Sequence, residues 1–246
     1  MNYEEYNFSK KEEIILFICF LVACAFFSLL FYNSPLLEIC GLTFFFKFKK
    51  FVKSYLIDKR KIELRNEFKD CMLSFSTSFL SGRHMYEAIS EAITGLSKIY
   101  GSDALMAREL KEMLKKIQNS KYDDARIWTD FAERSGLEEV EEFAETFKIL
   151  KSTGGNLPFA VQRGAMVISD KIAIESELKT LLAQKKSEGM VIGMMPIFII
   201  IFLRLVSFEY FKVMYTEPGG RIIMTAVMAI ELLSLYFIRK IIDINV

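Results

Sequence analysis

The sequence predicts an all-α integral membrane protein, in which two transmembrane hairpins flank a cytoplasmic antiparallel helical bundle of about six helices. Three observations lead there. The chain of 246 residues is 52% hydrophobic and yet 26% charged, with 23 Phe and only 4 Pro, so its apolar and charged residues are segregated rather than mixed. The apolar residues collect into long, nearly uncharged runs toward both ends. Between those runs hydrophobic residues recur every three or four positions, without the alternating β-branched pattern of a sheet.

The first run, "IILFICFLVACAFFSLLFY" from Ile14 to Tyr32, has 19 residues and no charge. At about 1.5 Å of rise per residue it crosses about 30 Å of hydrocarbon, which gives a span over 14–32. "LVAC" resembles a lipoprotein cleavage pattern and "ACA" a signal-peptide site. The apolar run continues past both, however, and acidic pairs sit where a signal peptide wants positive charge, so cleavage is not expected. The next run, "LLEICGLTFFF" from Leu36 to Phe46, is short and carries Glu38. Snorkelling of Lys47, Lys49 and Lys50 extends it to a second span over about 34–48, closing an N-terminal hairpin in 1–48. A basic juxtamembrane segment follows in 49–61, with Lys53, Lys59, Arg60 and Lys61. Lys and Arg beside a span stay in the cytoplasm, so the central domain and both termini are expected there, in a multi-pass protein of the cytoplasmic (inner) membrane. Cys19, Cys24, Cys40 and Cys71 have no C-x-x-C spacing and are expected to form neither a disulfide nor a metal site.

The bundle is expected over 62–188. Leu64, Phe68, Met72, Phe75 and Phe79 form one helical stripe, and Gly82 suits a left-handed cap. A second helix follows through "MYEAISEAI". Ser102 or Asp103 is expected to cap a third, carrying Leu105, Leu110, Met113, Leu114 and Ile117. A short fourth helix ends at Gly136, and a fifth carries Val140, Phe143, Phe147 and Leu150.

The cluster "KSTGGN" that ends the fifth helix has the residue types of a phosphate loop but not their order. Such a loop needs its glycines before the Lys and a strand leading in; here the Lys comes first and a helix leads in. The cluster is expected to be a joint instead. Gly154 or Gly155 stops one helix, Asn156 caps the next, and Leu157 heads a stripe continued by Val161, Ala165, Ile168, Ile172, Leu178 and Leu181 toward the membrane.

The C-terminal hairpin, 189–246, has spans over about 190–208 and 222–240, joined by "EYFKVMYTEPGGR", whose Pro-Gly-Gly marks a turn. Gly193 and Pro196 are hinge candidates, because proline removes one backbone bond and blocks another; ordinary membrane-helix usage is the alternative. Arg204 and Glu231 are charges within the membrane and hence functional candidates. Arg204 is expected to snorkel outward, with a mutual ion pair as the second choice.

His84 is the only histidine, which excludes a His cluster or a Ser-His-Asp arrangement within one chain. The carboxylates are spread along helix faces, so no catalytic residues, no cofactor and no metal are expected. Glu138, Glu139, Glu141 and Glu142 are partner-contact candidates that would offer an acidic face to a basic partner, a solvated helix face being the plain alternative.

"FSTSFLSGRHMYEAI" and "FAERSGLEEVEEFAETFKILKSTGGNLPFAVQR", followed by "PGG" before the last span and "IRKIIDINV" after it, carry a resemblance over Phe68 to Val246. In their order and spacing they resemble the type II secretion system F domain family, in particular the half-size platform proteins of tight-adherence (Tad-like) pilus systems. The resemblance implies a non-enzymatic membrane platform of a type IV pilus-like or secretion machine, coupling a cytoplasmic ATPase to insertion or extraction of pilin-like subunits. Its implied partners are that hexameric ATPase, the pilins, membrane lipid, and another copy of itself or a paralogous platform protein as a dimer; no nucleic acid is expected. Larger members carry two copies of the domain, and no internal repeat is visible here. The rival readings are a membrane-anchored signalling or regulatory helical-bundle protein and a small transporter subunit.

Overall fold

The computed structural model describes residues 2–33, 38–119 and 123–242, and every regular element among them is helical. In chain order these are α1 (Lys10–Tyr32), α2 (Glu38–Leu80), α3 (Met85–Tyr100), α4 (Leu105–Asn119), α5 (Asp124–Ser135), α6 (Glu138–Thr153), α7 (Leu157–Val206), α8 (Phe208–Thr216) and α9 (Pro218–Ile242). The chain divides into two compact units, one of Met1–Asn7 with Val52–Ile174, the other of Phe8–Phe51 with Glu175–Val246. Both divisions beyond Asn7 fall inside helices, α2 and α7, that run on without a break. The basic segment 49–61 is accordingly helical, part of α2.

The stripes read from the sequence form most of the core of the first unit, but Leu150 is not in it, and Leu178 and Leu181, at the end of the α7 stripe, fall in the second unit, where Leu181 is exposed. Leu64, Phe68, Met72 and Phe75 of α2 meet Ile89 and Leu96 of α3, Met106 and Leu110 of α4, Trp128 and Phe131 of α5, Val140 and Phe143 of α6, and Val161 and Ala165 of α7. Trp128 packs edge-on against Phe75, with centroids 5.9 Å apart, and against Phe143 at 4.8 Å. Such pairs add about 0.5–1.5 kcal/mol each beyond area burial.

Local chemistry sets several helix ends. Gly82, Gly136 and Gly154 have φ of 74°, 59° and 70°, a region costly for any residue with a Cβ. At the joint Gly155 N–H donates to the Leu150 carbonyl at 3.1 Å, and Asn156 Oδ1 accepts from Phe159 N–H at 3.2 Å, so Asn156 caps α7 as expected and Leu157 is its first residue. The start of α4 departs from expectation, because neither Ser102 nor Asp103 caps it. Glu67 of α2 does so from across the core, accepting Met106 N–H at 2.6 Å. Its carboxylate is 6% exposed, and burial raises its pKa above the ordinary glutamate value. A cap supplied from another helix leaves no local signature.

In the second unit, Leu30 and Phe31 of α1, Ile197 and Ile200 of α7, Phe211 and Tyr215 of α8 and Met224 of α9 share a core. Two helices among the described residues, α1 and α7, are long and apolar enough to cross a membrane. Residues 34–37, the start of the expected second span, lie outside the described residues; 38–48 belong to α2. There Phe45 stands edge-on to Phe17 and Phe20 of α1 at 5.1 and 5.5 Å, and Lys49 bonds Glu13, so α1 and the start of α2 pair antiparallel.

The link between the last two apolar runs corrects the sequence reading. It holds a helix, α8, and Pro-Gly-Gly opens α9 instead of making the turn. Pro218 is the first residue of α9, where its missing N–H has no partner to lose. The chain reverses at Glu217, which is extended. Gly220 is required there by close approach: a Cβ would lie 2.5 Å from Met214 Cα. Arg221 Nε bonds the Tyr215 carbonyl at 2.9 Å and closes α8. Gly193 is buried and Pro196 lies inside α7, whose helix is continuous through both.

Candidate functional site

The acidic helix α6 divides into two faces. Glu138, Glu141 and Glu142 are exposed, but Glu139 is 6% exposed. It faces inward with Val140 and Phe143, and Lys171 of α7 reaches it at 3.0 Å and Arg65 of α2 at 3.6 Å. Lys171 also reaches Glu138 at 3.0 Å. The bond to Glu139, ahead of that to Glu138, raises the pKa of Lys171. Glu139 therefore leaves the expected docking face and becomes a tie between α2, α6 and α7, because a carboxylate at such depth needs cations to offset its lost hydration. Beside it a groove of about 360 Å³ runs between α6 and α7, lined by Glu142, Thr146, Phe159, Arg163 and Val167.

At the joint, Gly82, Leu150, Lys151, Gly154, Gly155 and Leu157 line a cleft of about 440 Å³. Its lysine is already engaged: Lys151 bonds Asp123 and, at 3.2 Å, Asp124. The side chain with which a phosphate loop would grip its ligand instead joins α6 to the start of α5. His84 is exposed at the start of α3, and its backbone N–H donates to Glu87 at 3.4 Å. No three His, Cys, Asp or Glu side chains gather as a metal site among the described residues.

The two membrane charges do not pair with each other among the described residues. Arg204 reaches the end of α1, where Nη1 donates to the Leu29 carbonyl and Nη2 to Asn33 Oδ1, each at 2.7 Å. It satisfies a helix C-terminus. Glu231 is 3% exposed and continues the inward line of Met224, Val227 and Met228 on α9. Its Oε1 has no hydrogen-bond partner among the described residues.

Sequence reasoning missed the residues before α1. Tyr3, before α1, is 1% exposed in the first unit's core, where its hydroxyl donates to Glu109 at 3.0 Å. Nothing in "MNYEEYN" has a helical or strand period, so the only available signal was an aromatic residue among acidic ones. The chain matches no family model, no curated protein and no solved structure.

Proposed function

We propose that this chain is a non-enzymatic membrane platform protein of a type IV pilus-like, tight-adherence or type II secretion machine, and that it couples a cytoplasmic assembly ATPase to the movement of pilin-like subunits. The observation that carries the reading is the pair of long helices, α2 and α7, each belonging partly to the bundle unit and partly to the apolar unit. A continuous helix transmits displacement along its axis, which a flexible linker does not. The resemblance over Phe68 to Val246 supplies the identity of the machine.

The membrane topology that goes with this reading has four spans and places the bundle and both termini in the cytoplasm. The N-terminal residues support it. Residues before Asn7 belong to the bundle unit, and the chain is back in that unit at Val52. If α1 crosses the membrane, the chain must cross back before Val52, and the antiparallel start of α2 is the segment available. Glu138, Glu141 and Glu142, still exposed, remain the proposed contact for the ATPase; a second copy or a paralogue would complete a dimer.

Affinity capture from native membranes tests the reading. A hexameric ATPase and pilins should come along with the chain, and their absence under conditions that preserve other membrane assemblies would reject it. The transporter reading draws on one observation, the buried Glu231 oxygen that has no partner among the described residues. Arg204, committed to the end of α1, no longer favours it.

A further inference from the structure

Tyr3 and Glu4, within the segment Asn-Tyr-Glu-Glu of residues 2–5, lie against a cradle built from α2, α4 and α5. The ring of Tyr3 sits under the Arg60 guanidinium, 5.5 Å from its centroid, while its hydroxyl donates to Glu109. Its backbone N–H donates to the Arg134 carbonyl at 2.9 Å. Arg134 in turn grips both oxygens of Glu109, at 3.1 and 2.9 Å, which neutralises the buried carboxylate and leaves it able to accept from tyrosine. Glu4 takes Lys61 at 3.2 Å, and the same ammonium group donates to the Gly136 carbonyl at 3.2 Å. A Cβ on Gly136 would stand 2.5 Å from Glu4 Oε1, so glycine is needed there for the strap's approach as well as for its own backbone.

We propose that this cradle is a receptor for extended segments carrying a tyrosine followed by a carboxylate, that the chain's own N-terminus closes it in cis, and that a partner segment of the same chemistry displaces it. The charge fits such a ligand: the Arg60 guanidinium faces the ring of Tyr3 and the Lys61 ammonium faces the Glu4 carboxylate. Aromatic ring under guanidinium and carboxylate against ammonium are both favourable pairings.

Displacement follows from how little holds the strap. Residues 2–9 have no helix or strand of their own, and Tyr3 and Glu4 anchor the strap: the buried Tyr3 ring with its Arg60 and Glu109 contacts, the Tyr3 N–H, and the exposed Glu4–Lys61 pair. The exposed pair contributes little, and the ordering of several backbone residues offsets much of the remainder. The site stays filled because the tether supplies a high effective concentration, and a partner with contacts beyond the cradle outcompetes a ligand of that kind. The inference does not depend on what machine the chain serves.

The test uses the full chain in detergent with Tyr3→Ala and Glu4→Ala together, and a dye-labelled peptide NYEE as probe. The emptied cradle should bind the peptide saturably with a Kd several-fold below the about millimolar effective concentration of a short tether, since only then does the tethered strap keep the site filled. The wild-type chain should bind it several-fold more weakly, and the peptide NAEE should bind at least tenfold more weakly to the emptied cradle. No binding by a variant of unchanged helix content, or equal binding of both peptides, overturns the proposal. If the variant loses its helix content, a nitroxide at Glu5→Cys, on a chain with Cys19, Cys24 and Cys40 replaced by Ser and otherwise wild type, gives the reading. Excess NYEE must raise the label's mobility, and unchanged mobility overturns displacement.

Discussion

Arg204 holds the Asn33 side-chain oxygen at 2.7 Å and, with its other nitrogen, the Leu29 carbonyl at the same distance. Asn33 has φ of 49°, the left-handed conformation of a helix C-cap. One side chain of α7 therefore satisfies both the end of α1 and the residue that stops it. Arg204→Ala should destabilise the apolar unit by about 0.5–1.5 kcal/mol, the net worth of a hydrogen bond between groups that are not fully buried. Arg204→Lys, able to keep one of the two bonds, should fall between. Denaturant titration in micelles measures both, and equal stability of Ala and Arg would show that water serves these groups as well.

Glu231 should behave in the opposite sense. A buried carboxyl with an oxygen that lacks a partner among the described residues is a stability cost, so Glu231→Leu should leave the chain as stable or make it more stable by about 1–3 kcal/mol. Loss of stability in the same titration would mean that the carboxyl is held by groups beyond the described residues.

The four glutamates at the start of α6 should separate into two classes. Reversing Glu138, Glu141 and Glu142 to Lys should leave the bundle folded. Glu139→Lys, which sets a third cation beside Arg65 and Lys171, should cost about 3–5 kcal/mol. Thermal unfolding of the two variants checks this directly, and only the triple variant is fit for a binding assay.

Glu67 predicts a pH signature. Glu67→Ala should cost about 1–3 kcal/mol by leaving Met106 N–H unmet, whereas Glu67→Gln keeps an acceptor and removes the buried charge. Because burial raises the folded-state pKa of Glu67, its contribution is fully present below the ordinary glutamate pKa, about 4.3, and is lost as pH rises through the raised value. Wild type should therefore gain on Glu67→Gln as pH falls from neutrality. A difference that does not change with pH would refute the assignment.

Gly219 and Gly220 should respond differently to alanine. A Cβ on Gly219 meets nothing within 4 Å, while one on Gly220 strikes the backbone of Met214 at 2.5 Å. Gly219→Ala should be neutral or slightly stabilising; Gly220→Ala should loosen α8 from α9, read as faster hydrogen exchange across Phe208–Thr216.

What the sequence disclosed and what it withheld divide by range. Gly136, Gly154 and Asn156 were legible because a helix end is decided within a few residues, and the stripe from Leu64 to Phe79 because burial imposes a helical period. Glu67, Glu139 and Tyr3 were not, because each is fixed by a partner far along the chain: Met106, Lys171 and Glu109. Pro218 misled for a related reason. Pro-Gly-Gly suits a turn and the first turn of a helix equally, and only the approach of Met214 decides between them.

The contact between Tyr3 and Glu109 bridges 106 positions, and it imposes an order on synthesis. At about 5–20 residues per second the strap emerges from the ribosome roughly 5–20 s before its acceptor exists, and later still before Arg134 completes the cradle. A segment made well before its acceptor is thus seated only after it. A tag fused ahead of Asn2 would interfere with that late docking step while leaving the earlier ones untouched.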